Sequence, residues 1–310
     1  MTTPRKSPQN PPRPHGVALS AARRIQSSNP PGRHRFLEWD DYRVDREWQR
    51  YEGSPLRDLY RELRERFLAR HRPFHPGRSL EIGPGPGRFT RRIGHSDDRV
   101  TLLELSRAML ERVRADSPRN ARFEFDLVQG DAVAPPFRPM RFHRVAMLGN
   151  VLGFAERDAP ELLKRACALV APGGRLLIEF VAGGGERSKY LHRLPTGAIA
   201  RLFAAPVRAL QPRVLREGFE PVRERDTGAR RFRRFATADV QARLRAAGFE
   251  IKETVAVAPC LGNDASRLTA IRAAPRAWGH LLELEEAIGR EPNRQSDAAA
   301  LLVAAERPPP

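Results

Sequence analysis

Hydrophobic and polar positions along this chain alternate between two rhythms. Leu56, Leu59, Tyr60, Leu63, Phe67 and Leu68 recur at helical spacing behind Ser54-Pro55, a capping residue and a proline suited to the first helical position. Short apolar runs then trade with helical stretches. Residues 78–82 read as a strand entering a glycine turn, and a helix starts over 89–93. A strand is predicted over 99–104, a helix over 106–114, and further strands over 123–128 and 142–148. Asp158, Pro160 and Glu161 open a helix with an acid three residues after its cap. Pro172-Gly173-Gly174 stops it after Val170, and 175–181 is a fifth strand. A helix over 239–247 ends at Gly248, and strands follow near 249–257 and 298–305. Strands alternating with helices predict βαβ units, a mostly parallel sheet and an α/β fold wound on both faces.

Two segments break this rhythm. Residues 1–35 hold seven prolines, seven Lys/Arg and no acid, the composition of a disordered basic tail. Residues 36–74 form an N-terminal helical extension. The core then runs over 75–310, interrupted at 183–236 by an inserted lid or substrate region. That region opens on Gly183-Gly184-Gly185, and residues 182–236 carry 13 Lys/Arg against 5 Asp/Glu.

Composition changes this picture little. The 310 residues are 40% hydrophobic, enough for a packed core. Two cysteines, Cys167 and Cys260, make neither a disulfide scaffold nor a metal ribbon, so no metal is expected. Cys167 sits among alanines and leucines as a core residue. No apolar run approaches the roughly 18 residues of a spanning helix, and the N-terminus has no apolar secretory core, so a cytoplasmic protein is expected. The net charge is +18, and only four of the 55 basic residues are lysines. This skew reflects either a GC-rich genome or an anionic partner such as RNA, acidic lipid or a phosphorylated substrate.

The sharpest chemical signal is Leu80-Glu81-Ile82-Gly83-Pro84-Gly85-Pro86-Gly87, an apolar strand running into three glycines and then a helix. Glycine permits backbone angles closed to other residues and close approach of a ligand, and the helix start favours an anionic or polar group. The glycines fall at the first, third and fifth positions, and the sixth is Arg88. A dinucleotide fingerprint needs a glycine at that sixth position, which disfavours NAD. No Gly-Lys-Ser/Thr follows, which excludes a P-loop. Glu104 ends the next strand, 21 residues after Gly83, where a carboxylate accepts both hydroxyls of a ribose. Gly130-Asp131 follows the third strand, placing an acid for an exocyclic adenine amine, and Gly149-Asn150 follows the fourth. Ligands of open α/β sheets bind at this carboxyl edge.

With these residues in place, the chain resembles the class I S-adenosylmethionine-dependent methyltransferases over about 75–182 and 237–306. The Glu81–Gly87 loop matches their first motif, Glu104 the ribose acid, Asp131 the acid beside adenine, and Ala171-Pro172-Gly173-Gly174-Arg175-Leu176 the turn before the fifth strand. The resemblance implies a Rossmann-like sheet of seven strands, the last antiparallel, with S-adenosyl-L-methionine as cofactor. It also implies that Glu81 orients the loop and the methionine end, while Gly83, Gly85 and Gly87 line the cofactor. Leu105, Ala132 and Asn150 complete the expected cofactor set. Pro84 and Pro86 lack amide donors, which leaves Arg88 to anchor the methionine carboxylate.

Methyl transfer is an in-line displacement, so the protein aligns nucleophile and cofactor and excludes water, with a base needed only for some acceptors. His192 and Tyr190 in the insertion are the catalytic candidates, with His143 and Tyr51 behind them. Three functions stay open. The leading one is methyl transfer to oxygen or nitrogen of a small molecule, an acidic one among the options. The others are methylation of RNA through the basic tail and insertion, and a non-catalytic module of the same fold. Neither an Asn-Pro-Pro-Tyr type tetrapeptide nor a paired cysteine arrangement favours the RNA reading. The acceptor and the oligomeric state are not written in the sequence.

Overall fold

The computed structural model describes residues 26–27, 44, 53–72, 77–93, 99–116, 124–182, 187–189, 220–222, 234–259, 265–298 and 300–310. Tyr190, His192, Tyr51, most of the basic tail and nearly all of the insertion lie outside them.

Seven strands form one twisted sheet: β1 (Arg78–Ile82), β2 (Arg99–Glu104), β3 (Glu124–Gln129), β4 (Phe142–Met147), β5 (Val170–Phe180), β6 (Glu250–Val257) and β7 (Ala300–Glu306). Their order is β3-β2-β1-β4-β5-β7-β6. β1 to β5 pair in parallel, whereas β7 is antiparallel to both β5 and β6. A two-residue strand, Gln26–Ser27, extends the β3 edge in parallel.

Helices cover both faces. On one face lie α1 (Pro55–Arg70), α2 (Thr90–Ile93), α3 (Arg107–Asp116), α7 (Ala265–Arg272) and α8 (Pro275–Gly289). They pack Leu59, Leu63, Phe67, Leu110, Leu268 and Trp278 onto the inward residues of the sheet. On the other face, α5 (Ala159–Leu169) and α6 (Thr237–Ala246) bury Leu162, Leu163, Ala166, Val240 and Leu244 against Val145, Met147, Ile178 and Val303. One-turn α4 (Val151–Phe154) connects β4 to α5. Side chains of successive strand residues point to opposite faces. Leu176, Leu177 and Ile178 therefore supply both layers, which explains the continuous apolar run of β5.

Several local expectations need correction. β5 begins at Val170, not Arg175, because Val170 already pairs with Phe142 before the register shifts. The Pro172-Gly173-Gly174 turn is an excursion within the strand, held by the Gly173 amide donating to the Arg307 carbonyl at 2.9 Å. The Asp158 cap is not formed: a 3-10 turn, Glu156–Asp158, runs directly into α5, and Asp158 caps no amide with its side chain. The same holds for Ser54, whose carbonyl, not its hydroxyl, accepts from Arg57 and Asp58. α7 and α8 fill a stretch for which the sequence pattern predicted no element. Cys167 is buried and a free thiol, and burial raises its pKa to about 11. No helix among the described residues is long and apolar enough to cross a membrane, and no metal-binding cluster occurs among them.

The insertion is closed at its base. Ala182 and Phe235 form an isolated parallel bridge, and the Phe235 amide donates to the Val181 carbonyl at 3.1 Å. The chain thus leaves the end of β5 and returns beside it. Within the insertion, Arg187–Lys189 pairs antiparallel with Glu220–Val222.

Candidate functional site

The carboxyl ends of β1, β2, β3 and β4 meet along one rim. β1 stops at Ile82, and the turn that follows carries Gly83, Gly85 and Gly87 at φ 66°, 54° and 83°, in the left-handed region that excludes most side chains. A Cβ on Gly83 would sit 2.5 Å from the Val151 side chain, so the glycine lets the β1 and β4 loops touch. A Cβ on Gly85 would meet nothing within 4 Å. That position leaves the main chain open to close approach.

Carboxylates bracket the turn. Glu104, 8% exposed, accepts from the Gly85 amide through Oε2 and from the Ser106 amide through Oε1, both at 3.1 Å. Ser106 Oγ in turn accepts from the Met109 amide at 3.3 Å, in the first turn of α3. Glu104 thereby joins the glycine turn to the start of α3. The Gly83 amide donates to the Leu103 carbonyl and the Gly87 amide to the Pro84 carbonyl. With Pro84 and Pro86 lacking donors, every amide from 83 to 87 is engaged within the protein. Arg88, half-buried at the end of the turn, is the first side chain beyond it.

Glu81 lies under the turn, 2% exposed, and accepts from Thr90 Oγ1 at 2.6 Å, which fastens the start of α2 to β1. Burial raises its pKa from 4.5 to about 7; the Thr90 hydrogen bond opposes this, and repulsion from Glu104 adds to it. A carboxyl that holds its proton more tightly when folded favours folding most below pH 4.5, and that advantage is lost as pH rises through about 7. The ligand-free chain is therefore expected to lose about 3 kcal/mol of stability from this group over that window. Urea unfolding of wild type and Glu81→Gln at pH 5 and pH 8 checks this. The variant should lose less stability on going to pH 8, and parallel pH dependences would refute the assignment.

At the next strand end, Asp131 Oδ1 accepts from the Val133 amide at 2.9 Å, and the Gly130 amide donates to the Glu104 carbonyl at 3.0 Å. Gln129 Nε2 donates to the Leu105 carbonyl at 3.2 Å. Leu105 and Ala132 are half-buried beside these acids. The β4 loop sets Gly149 at φ 72° and Asn150 at φ 66°. Asn150 Oδ1 accepts from the Val181 amide at 3.3 Å, tying this loop to the exit of β5.

One pair at the rim is absent from the sequence-predicted set. Glu179 on β5 is 2% exposed and accepts from Arg64 Nε of α1 at 2.8 Å, with a second bond from Arg64 Nη2. Its Oε2 also accepts from the Gly149 amide at 2.9 Å. Burial favours the protonated form of Glu179, but the Arg64 guanidinium and these hydrogen bonds outweigh it and lower the pKa. A signal for each member exists in the chain: Glu179 is the one acid within an apolar strand, and Arg64 lies on the buried stripe of α1.

The structure brings Glu81, the three glycines, Arg88, Glu104, Leu105, Asp131, Ala132 and Asn150 to one rim. It separates His143 from them. That residue is at the opposite, amino end of β4, where Nδ1 accepts from the Arg78 amide at 3.2 Å and the ring fills the space beside Gly77. His143 is exposed there, away from the glycine rim. The acids suit a ligand rich in hydroxyl and amine donors, and the Gly85 cradle admits it against the main chain, so the residues present fit a nucleoside cofactor.

Residues 80–174 match the family model described as a methyltransferase domain. Ribosomal RNA small subunit methyltransferase A of Thermosynechococcus vestitus is 31% identical over 156 residues, 44% of this chain and 56% of that protein. The 2-phytyl-1,4-naphtoquinone methyltransferase of the same organism is 34% identical over 107 residues, 32% of this chain and 44% of that protein. The chain thus spans about half the length of these curated relatives. Among solved structures, a complex of a Haloferax volcanii methyltransferase and its activator aligns with TM-score 0.49 and 18% identity, covering 86% of this chain and 96% of that one. Residues 80–174 are thus a methyltransferase domain.

Proposed function

We propose that this protein transfers a methyl group from S-adenosylmethionine to an oxygen or nitrogen atom of a small molecule. The observation that carries the cofactor half is the Glu104 carboxylate set against the open Gly85 position, with Glu81 beneath and Asp131 beside. When bound, the cofactor supplies an already activated methyl group. The chain's own task is then to bind, orient and exclude water. Glu104 receives the ribose hydroxyls, Asp131 the adenine amine, and Arg88 the methionine carboxylate. Leu105, Ala132 and Asn150 complete the walls, and Glu81 steadies the turn under the methionine end. The insertion over 183–236, rooted beside β5 by the Ala182–Phe235 bridge, covers the acceptor. His192 or Tyr190, the candidates in the insertion, takes the proton from the acceptor where one must leave.

RNA as acceptor is the second reading, favoured by the ribosomal RNA methyltransferase among the relatives and by the net charge of +18. Titration calorimetry with S-adenosylmethionine comes first, and absence of binding would leave only a non-catalytic module. Transfer of labelled methyl to fractionated cell metabolites and, separately, to total RNA then decides the acceptor. The small-molecule reading expects label in the metabolite fraction, with His192→Ala lowering turnover about a hundredfold at unchanged cofactor affinity. Label confined to RNA, with affinity falling steeply with salt, would overturn it.

A further inference from the structure

The crossover from β3 to β4 contains no helix. Pro135, Pro136 and Pro139 fall within it, and proline removes a donor and clashes with the preceding turn. The face of β1, β2 and β3 opposite α1 is consequently roofed only by this irregular loop among the described residues. A hollow of about 200 Å³ remains there, lined by Arg78, Arg99, Thr101, Asp126, Phe137 and Arg141, among others. It lies toward the amino ends of the strands, away from the glycine rim.

Its lining is chemically one-sided. Arg78 and Arg99 are direct neighbours on adjacent strands, an arrangement that costs stability for like charges. Asp126 answers Arg99, accepting from Nε at 2.6 Å and Nη2 at 3.0 Å. Among the described residues, the side chains of Arg78 and Arg141 make no ion pair or hydrogen bond; Arg141 rests on the Phe142 ring at 5.9 Å. Between them on the floor is Thr101, 9% exposed, its hydroxyl without a partner among the described residues and facing the hollow. Phe137 and Phe142 meet edge to face at 5.2 Å and wall one side. Two exposed guanidinia and one hydroxyl lining a single concavity are donors suited to an acceptor with several oxygens and negative charge.

We propose that this hollow binds a phosphate group, free or as the monoester of a small molecule. Three terminal oxygens match donors arriving from Arg78, Arg141 and Thr101, whereas a carboxylate offers two, as Asp126 does to Arg99. The volume is below the range of whole drug-sized ligands, so it seats one charged group with a small substituent against the phenylalanines. The site is separate from the glycine rim and holds whether or not that rim binds S-adenosylmethionine.

Titration calorimetry of the full chain at low salt with inorganic phosphate and with phenyl phosphate tests this. One saturable site is expected. Arg78→Gln and Arg141→Gln should each weaken it about tenfold, and Thr101→Val should weaken it several-fold. The exposed Arg157→Gln should not change it, and S-adenosylmethionine affinity should be the same in all four variants. Tighter binding of phenyl phosphate identifies an organic monoester as the occupant, and equal binding identifies free phosphate. Absence of saturation with both probes, or affinities unchanged by the arginine and threonine substitutions, overturns the proposal. So does an RNA oligonucleotide that binds through these arginines while both small phosphates do not.

Discussion

Glu104→Ala is expected to weaken S-adenosylmethionine binding by roughly a hundredfold to ten-thousandfold, on the scale of two hydrogen bonds to a charged acceptor at about 1.5–3 kcal/mol each. The carboxylate in this structure accepts from the Gly85 and Ser106 amides, so its orientation is fixed before any ligand arrives. Preorganisation of this kind spares the ordering cost that a free side chain would incur on binding. The alanine variant also leaves two amides short of a partner, and some loss of stability accompanies it. Glu104→Gln separates the two effects, because its carbonyl still accepts from an amide while the charge is gone. It should retain most of the stability and lose most of the affinity. Gly85→Val reaches the same end by another route. Valine at φ 54° is strained, and its side chain occupies the open space above the turn. Calorimetry on ligand-free protein reads all three, and affinities within a fewfold of wild type would remove this rim as the cofactor site.

Elements whose cause is local are legible in the chain itself. The run into Gly83-Pro84-Gly85-Pro86-Gly87 needs a turn whatever surrounds it, and β1, β2 and β4 fall within one residue of their predicted bounds. Elements decided by distant pairing are not. Pro172-Gly173-Gly174 has the chemistry of a stop, yet Val170 pairs with Phe142 and Gly173 with Arg307, so the strand continues around the turn. α8 opens on Pro275 as α1 opens on Pro55, but Ala274 takes the place of a polar capping residue. Glu285 and Glu286 also interrupt its apolar stripe, because both are buried in the fold and Glu286 is answered by Arg66 and Arg70 of α1. His143 shows the opposite failure. Its residue type suggests a base, but it follows Phe142 at the start of a strand whose chemistry lies at the far end. The glycine and acid positions of the rim follow from strand ends and are readable; the Arg64–Glu179 contact spans 115 residues, and although each member stands out in its own segment, no local pattern pairs the two.

That contact carries the second large effect. Arg64 and Glu179 have side chains 8% and 2% exposed, and removing one member of such a pair strands the other charge in the interior. Arg64→Ala is therefore expected to cost about 3–5 kcal/mol of stability at neutral pH, read as a lowered urea midpoint. The pH dependence should change sign with it. In wild type the lowered pKa of Glu179 contributes stability above pH 4.5 that disappears as pH falls through its folded value. Without the guanidinium, burial dominates, the carboxyl holds its proton more tightly than in the unfolded chain, and the loss moves to rising pH. Arg64→Met combined with Glu179→Gln removes both charges while keeping bulk, and should recover a good part of the stability, since neutral replacement of a buried pair is often tolerated. The glycine rim feels the same change. Glu179 holds the Gly149 amide, and the loop it anchors presses Val151 against Gly83. Arg64→Ala should therefore also weaken S-adenosylmethionine binding under conditions where the variant remains folded. A variant as stable as wild type would mean that α1 merely rests on the sheet, and a destabilised variant with unchanged cofactor affinity would separate the β4 loop from the glycine turn.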